Sequence, residues 1–275
     1  REIEKTLRKI EQRSNQIESR LLEYLKDEII KIDTDGEKIG QINGLAVYKF
    51  SDQYFGGPSR ITAQTGVGKA GIVNIERECK LGGNILNKSI FVISGYLLGR
   101  YGQKRQLSLT ASLCFEQSYH GVDGDSASAA ELFVILSALA GVPIRQYLAI
   151  TGSMNQHGEI QAIGGVNKKI KGFFKVCCLK GRLTGDQGVI IPKDNLKDLM
   201  LPIEIVKAVK NKKFHIYAIS TPEEGIELLT GLTMGQIDEK VVKRLKEIGG
   251  ILKNSAEKIG LPVRLLKAIT RLFKK

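Results

Sequence analysis

From Ser126 to Ala140 the chain reads SASAAELFVILSALA, small residues opening a strongly apolar run that Gly141 and Pro143 bring to a stop. Such a run is a buried helix, so the remainder of the chain must supply layers to cover it. With 275 residues and 42% hydrophobic side chains there is enough material for a real core. From Gly40 onward, strand-like and helix-like stretches alternate. QINGLAVYKF and GIVNIERECKL read as strands, with Asn43-Gly44 and Gly56-Gly57-Pro58 as punctuation. SIFVISGYLLGRYG reads as a helix, QLSLTASLCFEQ as a strand, and the apolar helix Ser126–Ala140 follows. Strands YLAITGS and EIQAI, a helix over 166–179, strand GVIIP, two short helices, strand HIYAIS and a helix over 222–229 complete the body. The mixture predicts an α/β (α+β) domain over residues 36–235.

Two segments flank it. In residues 1–35, Ile3, Leu7, Ile10, Ser14, Ile17, Leu21 and Tyr24 follow alternating steps of three and four, the seam of a long N-terminal helix ended by the turn residues DTDG. Both a helix docked on its own domain and an inter-subunit coiled coil fit that pattern. Residues 236–275 carry eleven Lys/Arg against four Asp/Glu, and so hold much of the formal +13 charge; they read as basic helices separated at Gly249-Gly250 and Gly260. Such a tail packs by default onto its own domain through an apolar face such as that of Leu265, Leu266, Ile269, Leu272 and Phe273, or else contacts nucleic acid or an acidic partner. The longest apolar runs, 90–98 and 132–140, fall short of the roughly 20 residues of a membrane-spanning helix. The four cysteines, 79, 114, 177 and 178, form no CxxC and are joined by no histidine cluster, which predicts reduced thiols, a cytoplasmic setting and no metal site. The sequence opens on Arg1 rather than Met, and reads as a portion of something longer.

The apolar helix is preceded by GVDGDS, a glycine-kinked loop ending in Ser126. A serine hydroxyl there is either a helix cap or a nucleophile, and a nucleophile needs a base. Histidines occur only at 120, 157 and 215, and no spacing recommends them beyond the closeness of His120 to Ser126. A lysine whose charged form is disfavoured by burial is the other option. On the helix VNKKIKGFFKVCC, at about 100° per residue, Val166, Ile170, Phe173, Phe174 and Cys177 share one arc. Lys168, Lys171 and Lys175 lie opposite, and Lys169 sits at the apolar edge. Periodicity leaves Lys169 with two readings, an apolar stem with its amine in water or a desolvated base. Ser128-x-x-Glu131 has capping-box spacing, which frees Ser126 from that duty. AQTGVGKAG invites comparison with a phosphate-binding loop, but Ala63 and Ala70 replace the required glycine and hydroxyl, leaving a turn.

GVDGDSASAAE followed by AITGSMNQHGEIQAIGGVNKKI resembles the proteolytic domain of the Lon protease family, closest to its LonB-like group, over about residues 42–231. The resemblance implies Ser126 as nucleophile and Lys169 as general base, forming a Ser-Lys dyad. It also implies Thr151 as a hydroxyl that orients the lysine and Asp123 as an acidic residue near the dyad. Some members also carry a glutamate on an early strand; it has no match here, its counterpart falling near Thr62. The implied activity is that of a serine endopeptidase acting on unfolded polypeptides in protein quality control. The implied setting is beneath an ATP-driven AAA+ unfoldase module in a homo-oligomer, usually a hexameric ring. No nucleotide motif lies in these residues, so ATP and magnesium are expected only through that module, and no cofactor or metal is expected in this chain. The rival reading is a catalytically silent binding or regulatory module contacting nucleic acid or an acidic partner through its basic tail.

Overall fold

A computed structural model describes residue 20 and residues 22–50, 53–103, 107–119 and 121–252. In chain order its elements are α1 (22–26), β1 (Glu37–Lys38), β2 (Gln41–Phe50), β3 (Gln53–Val67), β4 (Gly71–Asn74), α2 (Ile75–Glu78), α3 (Asn84–Tyr101) and β5 (Leu109–Phe115). Then follow α4 (Ser128–Ala140), β6 (Ile144–Arg145), β7 (Leu148–Ile150), β8 (Ser153–Met154), β9 (Ile160–Gln161), α5 (Val166–Lys180) and β10 (Gly188–Pro192). A 3-10 turn (Lys193–Asp198), α6 (Ile203–Lys210), β11 (His215–Ile219), α7 (Pro222–Thr230) and α8 (234–252) complete the described chain.

Seven strands form one sheet in the order β11-β10-β7-β2-β3-β5-β4. Only β3 runs against the others. Because side chains alternate across a strand, neighbouring residues feed opposite faces. Ile190 joins one core while Val189 and Ile191 join the other, and Ile150 and Ala149 divide in the same way. Helices α3, α4, α7 and α8 cover the first face; α5 and α6 cover the second. The apolar run that opened the sequence is α4, in which Ala129, Ala130 and every residue from Leu132 to Leu136 are at most 0% exposed. A mixed α/β sheet between helical layers is thus the fold, as the alternation predicted.

Four local expectations change. Gly56-Gly57-Pro58 does not break the chain but lies inside the 15-residue strand β3, paired with β2 in a long hairpin. Glycine is needed there for closeness: a Cβ on Gly56 would overlap the Lys168 carbonyl, and one on Gly172 would overlap the Gly56 carbonyl. Second, the N-terminal helix ends at residue 26, before DTDG, because the chain turns back through Glu28 at positive φ. That turn lets Leu25 and Ile32 both pack on Val176 of α5, while Tyr24 of the predicted seam stays exposed. The seam positions Ile3 to Leu21 lie outside the described residues.

Third, GIVNIERECKL is a strand only as far as Asn74, whose side chain caps the short α2. Fourth, Gly249 and Gly250 lie within α8 rather than between two helices, and Ile237, Val241 and Leu245 of α8 enter the main core at steps of four. Residues beyond 252, including Gly260, are outside the described chain.

Candidate active site

The parallel strand β7 ends between β10 and the middle of β2, and there the loop before α4 meets the first turn of α5. In that loop Gly121 and Gly124 adopt φ of +86° and +113°, values that side chains disfavour. The bend delivers Ser126 two residues ahead of α4, whose N-cap position is Ala127. The Ser126 carbonyl is held from two sides, accepting from Gly152 N–H at 2.8 Å and from the Thr151 hydroxyl at 3.0 Å.

Lys169 comes from the other face of the sheet. It is 2% exposed, and its Nζ lies 2.8 Å from Ser126 Oγ and 2.9 Å from Thr151 Oγ1. Burial disfavours the ammonium and lowers the amine to about 8, while the neighbouring Asp125 carboxylate pulls it back up. Hydrogen-bond accounting then orders the cluster. Thr151 has one proton, given to the Ser126 carbonyl, so its oxygen accepts from Lys169. A neutral Lys169 consequently keeps its lone pair for the Ser126 hydroxyl. Thr151 is itself fixed where β7 ends, its N–H donating to Ile190 O of β10 at 3.0 Å.

Of the four residues singled out in the sequence, Ser126, Lys169 and Thr151 meet. Asp123 faces elsewhere: its Oδ1 accepts from the amides of Ile85, Leu86 and Gly124 at 3.0, 3.1 and 2.9 Å, which ties the start of α3 to the serine loop. The acid that acts on the amine is Asp125, held by the Ser153 hydroxyl at 2.9 Å. The motif GVDGDS contains both aspartates, and spacing alone did not separate their tasks. Ser128 is not the first half of a capping box. Its hydroxyl donates to Asp125 O at 2.6 Å and accepts from Met154 N at 3.1 Å, while Glu131 is fully buried.

His157 is exposed on a turn. His215 begins β11, at the opposite end of the parallel strands, and its ring bonds to Gly185 O. His120 lies outside the described residues. Thr62, near the position of the family glutamate, donates to Glu116 Oε1 at 2.6 Å. The Gly68-Lys69 stretch is the short link between β3 and β4. Among the described residues no group of three or more His, Cys, Asp or Glu is arranged to hold a metal, and no helix is long and apolar enough to cross a membrane.

A cleft of about 130 Å³ opens beside Ser126. Its lining is mixed, with Leu45, Val47 and Phe115 among the apolar residues and Ser59, Ser118 and Asp123 among the polar ones.

By comparison with known proteins, this chain is of the class of proteolytic domains. Residues 115–230 match the Lon protease (S16) C-terminal proteolytic domain and belong to that family. The chain is 46% identical over 218 residues to a putative Lon protease homolog of Escherichia coli, covering 77% of this chain and 37% of that protein. It is 39% identical over 233 residues to a putative Lon protease homolog of Haemophilus influenzae, covering 84% and 39%. It is 30% identical over 222 residues to an archaeal Lon protease of Thermococcus kodakarensis, covering 81% and 32%. The chain therefore spans well under half the length of each of these relatives.

Proposed function

We propose that this Lon-type peptidase is a serine endopeptidase in which Ser126 attacks the peptide carbonyl and Lys169 is the base. The observation that carries the reading is a buried amine 2.8 Å from a loop hydroxyl, with Thr151 occupying the neighbouring bond. Neutral Lys169 takes the serine proton as the acyl bond forms, then gives a proton to the leaving amine. It next takes a proton from the water that releases the acyl group. The amides of Ser126 and Ala127, in the turn ahead of α4, are assigned as the oxyanion donors. Asp125 keeps the amine basic enough to receive a proton, and the cleft beside Ser126 receives a side chain of an extended, unfolded substrate.

The relatives' greater length supports an ATP-driven AAA+ module elsewhere in the full protein, with nucleotide and magnesium bound there and the domain working in a homo-oligomeric ring. We assign residues 1–35 as the connector to it, 36–235 as the proteolytic body and 236–275 as a basic extension whose first part, α8, packs on the core of that body. Quality control of unfolded protein in the cytoplasm is the setting consistent with that arrangement.

The test is cleavage of casein by the wild-type chain and by Ser126→Ala, together with labelling by a boronate. Cleavage that survives Ser126→Ala, or absence of adduct formation in an active wild type, overturns the reading. The alternative of a silent binding module rests on the basic tail. It would be supported by salt-dependent DNA binding, from a chain that cleaves nothing, that disappears when the basic residues after α8, 253–275, are deleted while the core helix α8 is kept.

A further inference from the structure

A second group of buried acids lies one helical turn inside the serine loop. Glu131 of α4 is 0% exposed and Glu76 of α2 is 3% exposed. Each leaves one carboxylate oxygen without a partner, Glu131 Oε1 and Glu76 Oε2. Burial first, and Glu76 in addition, disfavour a charge on Glu131. Glu76 is engaged elsewhere, its Oε1 accepting from Phe115 N–H at 2.8 Å.

Ser89 of α3 identifies the acid. Its Oγ lies 2.8 Å from Leu86 O and 3.3 Å from Glu131 Oε2, and a hydroxyl has a single proton. With that proton given to the closer carbonyl, the bond to Glu131 is made only if the carboxyl group donates. We propose that Glu131 is a positioning residue: as a neutral acid donating to Ser89 it ties α4 to α3, and its ionisation releases the tie.

The consequence for the site follows from the chain path and rests on the Ser126–Lys169 reading. The loop over 121–127 is strung between those two helices, fastened to the start of α3 by Asp123 and running directly into α4. Separating the helices displaces Ser126 from Lys169. Burial and Glu76 push Glu131 up to about 8; a donated Ser89 proton would pull it down. From β5 the titratable neighbour is Cys114, which bonds to Glu76 and is itself pushed up to about 12. Among the described residues Glu76 is the one charged group acting on Glu131.

Glu131→Gln keeps a donor and cannot ionise. Below the ordinary value of 4.5 both folded and unfolded Glu131 are neutral, whereas between 4.5 and about 8 only the unfolded chain gives up the proton. The Tm of wild type relative to Glu131→Gln should therefore fall as pH rises through that window and level off above it. Amide exchange protection of 121–127 should likewise drop by up to about tenfold per pH unit between 4.5 and about 8 in wild type, level off above that, and persist in Glu131→Gln. Parallel Tm curves, or equal protection, overturn the tie.

Should Glu131→Gln fail to fold, Ser89→Ala decides. Loss of an acceptor moves the titration to lower pH, and movement upward overturns the donor assignment. In casein cleavage the kcat ratio of Glu131→Gln to wild type should rise about tenfold per pH unit above 8. A constant ratio despite divergent protection overturns the bearing on catalysis. Loss of cleavage in both proteins counts against the peptidase reading and leaves the Tm and exchange results to judge the tie.

Discussion

Ser126 Oγ and Lys169 Nζ, 43 residues apart along the chain, meet at 2.8 Å across the end of a sheet that separates their helices. The amine reaches the serine because α5 lies closer to the sheet than an ordinary side chain would allow. Gly56 and Gly172 leave room for carbonyls where a Cβ would collide. Replacing Gly56 by Ala should push α5 away from β3, lowering stability by about 1–3 kcal/mol. Activity should fall further than stability, because a displacement of about 1 Å can cost ~10²-fold in rate. Denaturation midpoints and casein cleavage, measured side by side, check both.

Activity should depend on the neutral form of Lys169. With the amine lowered to about 8, kcat/KM should fall tenfold for each pH unit below that value. The same change is visible in stability. Between about 8 and the ordinary 10.5 the unfolded amine keeps a proton that the folded one has lost, so stability relative to Lys169→Met should rise with pH through that window. A cleavage profile flat from pH 6 to 9 would remove lysine from the role of base.

Asp125 acts on the amine in the opposite sense to burial. Asp125→Asn should therefore shift the ascending limb of the pH profile to lower pH, whereas Asp123→Asn should leave the limb in place and lower Tm through the start of α3. The two pH profiles and two melting curves separate these tasks.

Thr151→Val should keep the fold and reduce kcat by about 10²-fold, since both the Ser126 carbonyl and Lys169 lose a partner that sets their angles. Thr151→Ser, which restores the hydroxyl, should recover most of the rate. Failure of serine to rescue would mean that the threonine methyl, not the oxygen, matters.

Ser126→Ala and Lys169→Met should each reduce casein cleavage by at least ~10³-fold, and the double variant should lose little more, as expected for groups acting as one unit. Circular dichroism and Tm establish that the folds persist. Additive losses would contradict a joint role.

Much of this protein could be read along the chain, because the signals involved are local. Strand-like runs marked β2 and β10, and helical runs marked α4 and α5, nearly to their ends, and a lysine at an apolar edge of α5 was visible from angle alone. The glycine-bent loop before Ser126 was equally local. What tertiary structure decided depends on partners distant in sequence. Gly56-Gly57-Pro58 became strand because β2 and α5 enclose it. Asp123 became the fastener of α3 and Asp125 the neighbour of Lys169, although both belong to one short motif. Glu131, with the spacing of a cap, became a buried acid because α2 and α3 close over it. Sequence determines which residues a helix or strand turns toward one face; only packing determines what stands there, how much water remains, and hence which groups keep their charge.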